Sequence, residues 1–96
     1  MGFARVVGTE ITDASGAPIY LQGVGIGNWL LPEGYMFDML KSANYESPRG
    51  LKALTYELIG PEEADAFWQV WRERYFNRDD VEALARDGYN SIRIAF

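Results

Sequence analysis

The chain contains no cysteine and no histidine among its 96 residues. The lack of cysteine excludes disulfides, thiolate metal sites and thiol nucleophiles. The lack of histidine excludes imidazole ligands and the Ser-His-Asp triad, whose base is a histidine. Carboxylates, lysine, tyrosine, serine and threonine are the catalytic groups that remain, and no metal site is predicted.

Basic side chains are outnumbered, with 9 Lys and Arg against 14 Asp and Glu and a formal net charge of -5. Because phosphate binding needs clustered Lys and Arg, no nucleic-acid partner is predicted. No apolar run reaches the roughly 20 residues of a membrane span, so no membrane partner is predicted, and no signal peptide is visible. Hydrophobic residues make up 48% of the chain, which suffices for the core of one small domain.

The first part of the chain, residues 1–22, predicts a β-hairpin. Residues 5–7 and 10–12 are short and β-prone, and residues 13–16 supply turn chemistry. This turn lacks the alternating acids of a calcium-binding loop. Residues 18–21 are predicted to return as the second side of the hairpin.

A glycine-rich segment and a long aromatic loop come next. Residues 23–27 alternate glycine with valine and isoleucine, which predicts a short buried strand. The three glycines do not complete the dinucleotide fingerprint G-x-G-x-x-G from either starting point, so no cofactor is predicted. Residues 28–48 are rich in aromatic side chains and interrupted by proline and glycine. Loops of this length are usually disordered or functional, and the aromatic content favours function.

Three helices are predicted in the middle of the chain. The first begins at the Ser-Pro pair 47–48 and stops at Gly60, and Pro61 opens the second. The third is capped by Asn77 and ends at Gly88. Apolar residues at helical spacing define the faces of the first two helices: Leu51, Leu54 and Leu58 in one, and Ala64, Phe67, Trp68, Trp71 and Tyr75 in the other. We interpret the two tryptophans of this set as core packing rather than as a ligand platform.

The last segment, residues 89–96, alternates like a strand. The order strand, helices, strand predicts a parallel pair joined by a right-handed crossover, which places the chain in the α/β class. Parallel pairs are normally covered on both faces and flanked by further strands, which this sequence does not supply. Because Phe96 falls within the apolar strand, the chain is predicted to be one part of a larger fold.

Two charged residues stand out beside aromatic ones. Glu33 lies in the aromatic loop, and Arg93 lies between two isoleucines of the last strand. Residues at the carboxyl ends of parallel strands build the sites of α/β folds. A carboxylate, a guanidinium and the rings of Trp29 and Tyr35 suit a sugar, which offers hydroxyl groups and an apolar face. The alternative left open is that Arg93 forms a structural ion pair and Glu33 is a surface residue.

Four motifs occur in order along nearly the whole chain. They are G-T-E-I-x-D-A-x-G-x-P-I-Y-L-x-G-V at 8–24, G-N-W-L with P-E-G-Y at 27–35, L-I-G-P-E-E-A through F-W at 58–68, and D-G-Y-N-S-I-R-I-A-F at 87–96. Together they resemble glycoside hydrolase family 5, the cellulase and exo-β-glucanase group. Each motif alone is moderately specific, and their shared order makes the resemblance strong.

The resemblance implies an incomplete (β/α)₈ TIM barrel, a fold that takes about 250 residues. Residues 1–96 would form the amino-terminal part of its single catalytic domain. Residues 1–22 would be a hairpin at the barrel bottom, and residues 23–96 would supply barrel strand one, a helical crossover and strand two. The remainder of the barrel, or self-association, would then pair with the open strand edges.

The resemblance also implies roles for four substrate-binding residues. Arg93 matches the family's strand-two arginine, which positions the nucleophilic carboxylate by hydrogen bonding. Glu33 matches an acid that holds sugar hydroxyls at the cleavage subsite in the exo-glucanase branch. Asn28 and Trp29 match motif positions that mainly shape the loop.

The chain departs from the family pattern at two positions. Gly25 stands where many members carry asparagine, and Ala95 replaces a usual proline. Neither change removes a catalytic group. Retaining glycosidases need two carboxylic acids about 5–5.5 Å apart, and the family places them on barrel strands four and seven. No catalytic residue is therefore predicted in this chain, and the chain alone is predicted to be inactive.

The predicted function is that of the amino-terminal segment of a retaining β-glycosidase that hydrolyses β-glucan-type polysaccharides. The resemblance implies a secreted or periplasmic protein. One alternative is a non-catalytic partial barrel that self-associates or binds a partner through its aromatic loop. Another is a self-sufficient α+β domain that binds a partner through the same loop.

Overall fold

The computed structural model describes residues 2–37 and 45–96, and the chain begins with an antiparallel hairpin. Strand β1 (Arg5–Val7) pairs with strand β2 (Glu10–Thr12). Gly8 turns the chain between them with a φ of 63°, a left-handed conformation that glycine adopts without steric cost. A hairpin thus joins the first two β-prone stretches of the sequence.

The segment 18–21, predicted as the returning side of the hairpin, is not a strand. Pro18 forms one isolated antiparallel bridge with Thr12. The Ile19 N–H donates to the Ile11 carbonyl at 2.7 Å. Proline has no N–H for a ladder, so the pairing stops after this single bridge.

Asp13 organises the turn that precedes this bridge. Its carboxylate accepts the Ser15 hydroxyl at 2.6 Å, the Ser15 amide at 2.8 Å and the Ala17 amide at 3.0 Å. Its own amide donates to the Ala17 carbonyl at 2.9 Å. Hydrogen bonds to the charged form, the Ser15 hydroxyl first, lower the pKa of Asp13 below its usual value.

Two further strands, β3 (Gly23–Ile26) and β4 (Ser91–Ile94), form a parallel pair. Their register places Gly25 opposite Arg93. The parallel pairing that the sequence order predicts is confirmed. Because parallel strands run in the same direction, their carboxyl ends meet at one edge of the pair, where the Ala95 amide donates to the Ile26 carbonyl at 3.5 Å.

Asn90 fixes the opposite, amino-terminal end of this pair. Its side chain accepts the Gln22 N–H and donates to the Tyr20 carbonyl, each at 2.8 Å. Its backbone N–H donates to the Gln22 carbonyl at 2.9 Å. The three bonds extend the pairing by one position beyond the strand and hold its register.

Three α-helices connect β3 with β4, namely α1 (Pro48–Ile59), α2 (Pro61–Tyr75) and α3 (Arg78–Arg86). Ser47 caps α1 by accepting the Gly50 N–H at 3.0 Å. Asn77 and Asp80 form a capping box at the start of α3. Gly60, with a φ of 82°, is the sole residue between α1 and α2. The helix starts predicted from these residues are confirmed.

The core of the described chain lies between α1 and α2. Its buried hydrophobic residues are Leu51, Ala64 and Trp68. The Trp68 indole donates to the Thr55 hydroxyl at 2.8 Å, so the buried ring keeps a polar partner. Core packing is confirmed for Trp68. Leu58 lies at helical spacing from Leu51 but is 70% exposed, because nothing in the described chain covers the last turn of α1.

The two faces of the parallel pair are covered unequally. Val24 and Ile26 point towards the helices and share a cleft of about 310 Å³ with Phe76 and Leu84. The other face borders an open cleft of about 450 Å³ whose lining includes Gly23, Gly25, Ser91 and Arg93. The strand predicted to be buried is therefore half-covered by residues that the structure describes.

Much of the chain's surface is exposed for its size. The accessible surface is 7615 Å² and the radius of gyration is 18.3 Å. A compact monomer of 10.9 kDa exposes about 5,600 Å² and has a radius of gyration of about 12 Å. Among the described residues, no helix combines the length and apolar character of a membrane crossing.

Candidate functional site

The loop after β3 is closed on itself by Asn28. This residue has a φ of 61°, in the left-handed region that asparagine enters more readily than most residues. Its Oδ1 accepts the Glu33 N–H at 3.2 Å. The bond spans five residues, so the conformation of Asn28 sets the backbone position of Glu33, whose side chain is half-buried.

Trp29 anchors the start of this loop on helix α2. Its indole N–H donates to the Arg72 carbonyl at 2.9 Å, and its ring meets Phe76 edge-on with centroids 5.4 Å apart. In the reverse direction, the Trp71 indole donates to the Trp29 carbonyl at 3.1 Å. Both the ring and the backbone of Trp29 are therefore engaged by α2. Its assignment as a substrate contact stays a prediction.

Trp71 lies at the centre of a group of rings that we call the aromatic cluster. Its members are Phe37, Phe67, Trp68, Trp71 and Tyr75. The Trp71 ring stacks on Tyr75 with centroids 4.8 Å apart and lies 5.5 Å from Phe37. Since Phe37 belongs to the loop and the other members belong to α2, the cluster joins a second point of the loop to the same helix.

A 3₁₀ turn, Gly34–Met36, follows Glu33 directly. The Gly34 N–H donates to the Glu46 carbonyl at 2.9 Å. A β-carbon on Gly34 would collide with the Tyr45 carbonyl, so this close approach of two backbone segments requires glycine. Part of the predicted functional loop, residues 38–44, lies outside the described residues.

Arg93 occupies the open face of the parallel pair, next to its carboxyl end. Its guanidinium lies against Gly25, where a β-carbon would stand 3.4 Å from Nη2. The Arg93 side chain is exposed, and no carboxylate of the described chain forms an ion pair with it. The structural ion pair that the sequence left open is thus not found in the described part of the chain.

The site residues fall into two groups. Asn28 is joined to Glu33 by a hydrogen bond, whereas Trp29 is turned to α2. Arg93 stands apart on β4, and residues 2–37 and 45–96 show no hydrogen bond or ion pair between it and Glu33. Along the chain, Glu33 lies in the loop that follows the carboxyl end of β3, and Arg93 is the penultimate residue of β4.

The chemistry offered by these residues is hydrogen bonding to hydroxyl groups. A carboxylate accepts hydrogen bonds and an unpaired guanidinium donates up to five. Tyr35, which is 58% exposed, adds an aromatic face beside Glu33. Within the described residues, no group of three or more acidic side chains is placed to hold a metal ion.

Sequence reasoning missed three residues that shape the loop or the parallel pair. Trp71 was interpreted as core packing, and its bond to Trp29 bridges 42 positions along the chain. Gly34 interrupts the aromatic loop and Asn90 lies in the last motif, but neither pattern indicates the role that the structure shows. The sequence signal that could have marked Gly34 and Asn90 is their place in the second and fourth motifs. No local pattern marks the partner of Trp71, because a backbone carbonyl has no sequence signature.

Comparison with known proteins gives one relative to report. The chain is 26% identical over 96 residues to a β-xylosidase from Phanerodontia chrysosporium. The alignment covers 100% of this chain and 19% of that protein, so the chain spans about a fifth of the relative's length. No protein-family model matches the chain, and no solved structure matches it. The chain is therefore distantly similar to a glycosidase.

Proposed function

We propose that the chain is the amino-terminal part of a retaining β-glycosidase of glycoside hydrolase family 5 type, built on a (β/α)₈ barrel. It would act on β-linked polysaccharides such as β-glucan, or on β-xylosides as the relative's name indicates. The protein would be exported. The catalytic acids of such an enzyme lie outside these 96 residues in this proposal, and the chain supplies subsite groups.

The observation that carries the proposal is the one-sided covering of the parallel pair. Val24 and Ile26 share a cleft with Phe76 of the helix layer and Leu84 of α3. The open cleft along the pair is lined by Gly23, Gly25, Ser91 and Arg93 together with the apolar Leu21, Val24 and Ile92. This arrangement supports a strand–helix–strand unit of a barrel, whose inner face would meet the inner faces of other strands. Parallel sheets are normally buried on both faces, so the open side is expected to be covered by further parts of the fold.

The exposed area supports a larger assembly. The chain exposes 7615 Å², which is about 2,000 Å² more than a compact monomer of its mass. Stable interfaces bury about 800 Å² on each partner. The excess is therefore enough for more than one interface of ordinary size, as expected for a barrel segment with two open edges.

The roles of individual residues follow from the family resemblance and from their positions. Glu33 would accept hydrogen bonds from sugar hydroxyls. Arg93, which has no ion-pair partner in the described chain, would hold the nucleophilic carboxylate of a downstream strand. Tyr35 would offer its exposed ring to a sugar face. Asn28 and Trp29 would shape the loop that carries the first of these groups.

The test is hydrolysis by the full gene product that contains this chain. Aryl β-xylosides and β-glucosides, xylan and β-glucan are the substrates, and proton NMR follows the anomer released first. We expect the β anomer from the full product and no hydrolysis by residues 1–96 alone. Release of the α anomer, or hydrolysis by the 96-residue chain, would overturn the proposal.

Two substitutions in the full product test the subsite roles. We expect Glu33→Gln and Arg93→Lys each to lower kcat/KM by about tenfold to a hundredfold, because each weakens a charge-assisted hydrogen bond. Glu57→Gln and Arg78→Lys are the matched controls. Glu57 is exposed on α1, and Arg78 pairs with Glu82 on the surface of α3. Equal effects of site and control variants would remove Glu33 and Arg93 from the subsite.

A second candidate function is a non-catalytic module that self-associates. The observation that favours it is that neither outer edge of the β3–β4 pair has a strand neighbour within the described residues. Such edges are templates for further pairing. Sedimentation of the 96-residue chain distinguishes the two candidates, since a discrete oligomer without affinity for β-linked oligosaccharides would favour the module.

A further inference from the structure

Trp71 contacts the loop that carries Glu33 at two points. Its indole N–H donates to the Trp29 carbonyl at 3.1 Å, at the start of the loop. Its ring lies 5.5 Å from the ring of Phe37, further along the loop. One half-buried side chain of α2 therefore bridges two points that are eight positions apart in the chain.

The first contact is strengthened by a reciprocal bond. Trp71 donates to the Trp29 carbonyl, and the Trp29 indole donates to the carbonyl of Arg72, the next residue of α2. Two hydrogen bonds between the same pair of segments fix orientation as well as distance. Trp71 is itself held by stacking on Tyr75 and by an edge contact with Trp68, the buried ring of the core.

Around and between Trp29 and Phe37, short-range hydrogen bonds also hold the loop. Asn28 accepts the Glu33 N–H at 3.2 Å, and the Phe37 N–H donates to the Gly34 carbonyl at 3.0 Å. These bonds set the shape of the loop but do not attach it to the helices. This part of the loop is attached to α2 by the contacts at Trp29 and Phe37, and to the segment before α1 by the Gly34 N–H, which donates to the Glu46 carbonyl at 2.9 Å. The location of Glu33 depends on both attachments.

We propose that Trp71 is a positioning residue that holds the Glu33 loop on helix α2. Its two contacts differ in chemistry. The indole N–H holds the loop at Trp29, and the ring holds it at Phe37. The part of the inference that concerns sugar binding rests on the proposed role of Glu33. The part that concerns the loop stands on the contacts alone.

The test measures amide hydrogen exchange in the full chain by NMR. In Trp71→Phe the ring remains and the N–H is lost, so we expect exchange of the Glu33 amide to rise about tenfold while the Phe37 amide stays protected. In Trp71→Leu both contacts weaken, so both amides are expected to exchange about tenfold faster. Unchanged exchange at Glu33 in both variants would overturn the proposal.

Trp68→Phe is the matched control, one helical turn before Trp71. It loses an indole N–H bonded to Thr55 in the core, keeps an aromatic ring at the position that contacts Trp71, and has no bond to the loop. We expect it to lower the stability of the chain and to leave the relative protection of Glu33 unchanged. Loosening of the loop by this variant as much as by Trp71→Phe would overturn a specific role for Trp71.

Phe37→Leu keeps the test decisive if a Trp71 variant does not fold. This change weakens the second contact from the loop side, and we expect faster exchange at Phe37 with an unchanged Glu33 amide. Protection of Phe37 equal to that of the unmodified chain would overturn the proposal.

Kinetics of the full gene product separate this inference from the proposed function. With a displaced Glu33, Trp71→Phe is expected to raise KM for the β-glycoside by about threefold to tenfold at nearly constant kcat, which a loss of stability alone does not produce. A looser loop with unchanged KM supports the holding role of Trp71 and overturns Glu33 as a sugar ligand. An undisturbed loop overturns the role of Trp71, whatever the activity.

Discussion

The guanidinium of Arg93 rests on the bare backbone of Gly25, its cross-strand partner in the parallel pair. A β-carbon built on Gly25 would stand 3.4 Å from Nη2 and 3.6 Å from Nε. Glycine thus leaves Arg93 room to lie flat along the open face. The family resemblance leads one to expect an asparagine at position 25. This chain has glycine there, and the guanidinium of Arg93 lies against it.

Alanine should be accepted at Gly25. The nearest atoms belong to the end of a flexible side chain, so Arg93 can shift by a few tenths of an ångström. We expect Gly25→Ala to change the free energy of unfolding by less than about 1 kcal/mol, because the entropy lost by the unfolded chain offsets the contact. Urea denaturation measures this change.

Gly34→Ala is the contrasting substitution. There the new β-carbon meets the Tyr45 carbonyl, a backbone atom that cannot move aside. We expect a loss of about 1–3 kcal/mol of stability and faster exchange of the Gly34 amide. Similar urea midpoints for the two glycine variants would contradict this account of the loop.

Asn28 combines a conformational and a hydrogen-bonding role, and two substitutions separate them. Asn28→Gly keeps the left-handed backbone and loses the bond to Glu33, for a cost of about 1 kcal/mol. Asn28→Ala loses the bond and also carries a left-handed penalty of about 1–2 kcal/mol. Urea denaturation should therefore rank alanine below glycine, and the reverse order would show that the backbone of Asn28 is unstrained.

Asn90 provides a test of the register of the parallel pair. Asn90→Ala removes one accepted and one donated side-chain bond, so we expect a loss of about 1–3 kcal/mol. Asn90→Asp keeps the acceptor for Gln22 but directs a carboxylate oxygen at the Tyr20 carbonyl. It should cost at least as much at neutral pH, as measured by thermal unfolding, and an aspartate variant of full stability would argue against the donated bond.

The buried pair Trp68 and Thr55 is suited to a double-mutant cycle. Thr55→Val leaves the Trp68 indole N–H without its partner, for an expected cost of about 1–3 kcal/mol. In the Trp68→Phe background the same change should cost less, since the donor is already gone. Urea denaturation of the four proteins gives the coupling energy. Additive losses would show that the bond contributes nothing to stability.

The Asp13 turn should respond to acid. Its hydrogen bonds, with the Ser15 hydroxyl foremost, lower the pKa of Asp13 below the ordinary 3.8. A lowered pKa in the folded chain means that the stabilisation is complete above about pH 4 and is lost as the pH falls through the folded value. NMR titration of the carboxyl group should show a lowered pKa that rises towards 3.8 in Ser15→Ala. Asp13→Asn should remove this part of the acid response of the turn.

Local signals were sufficient for the helices and for the strand order. Ser47 and Asn77 are side-chain caps that act within three residues, so their meaning can be read directly from sequence. The strand–helix–strand order likewise predicted the parallel pairing of β3 with β4. The candidate edge follows from this order, because it lies where both strands end.

Features that depend on distant segments could not be predicted from the sequence. Residues 18–21 have strand-like composition, yet Pro18 cannot donate and the ladder ends. Trp71 has the spacing of a core residue, and its bond to Trp29 depends on how a loop 42 positions away packs on α2. Leu58 has helical spacing with Leu51, but spacing does not reveal what covers the last turn of a helix.

Because Gly60 alone connects α1 with α2, the length of this connection determines how α2 is oriented relative to α1. The residue accepts the Ala64 N–H of α2 and donates to the Tyr56 carbonyl of α1, so each helix starts or stops on the same backbone unit. Inserting one amino acid before Pro61 would change the orientation of α2 relative to α1 and carry Trp71 away from the loop. Tolerance to insertions, which surface connections usually show, is therefore expected to be lowest at this glycine.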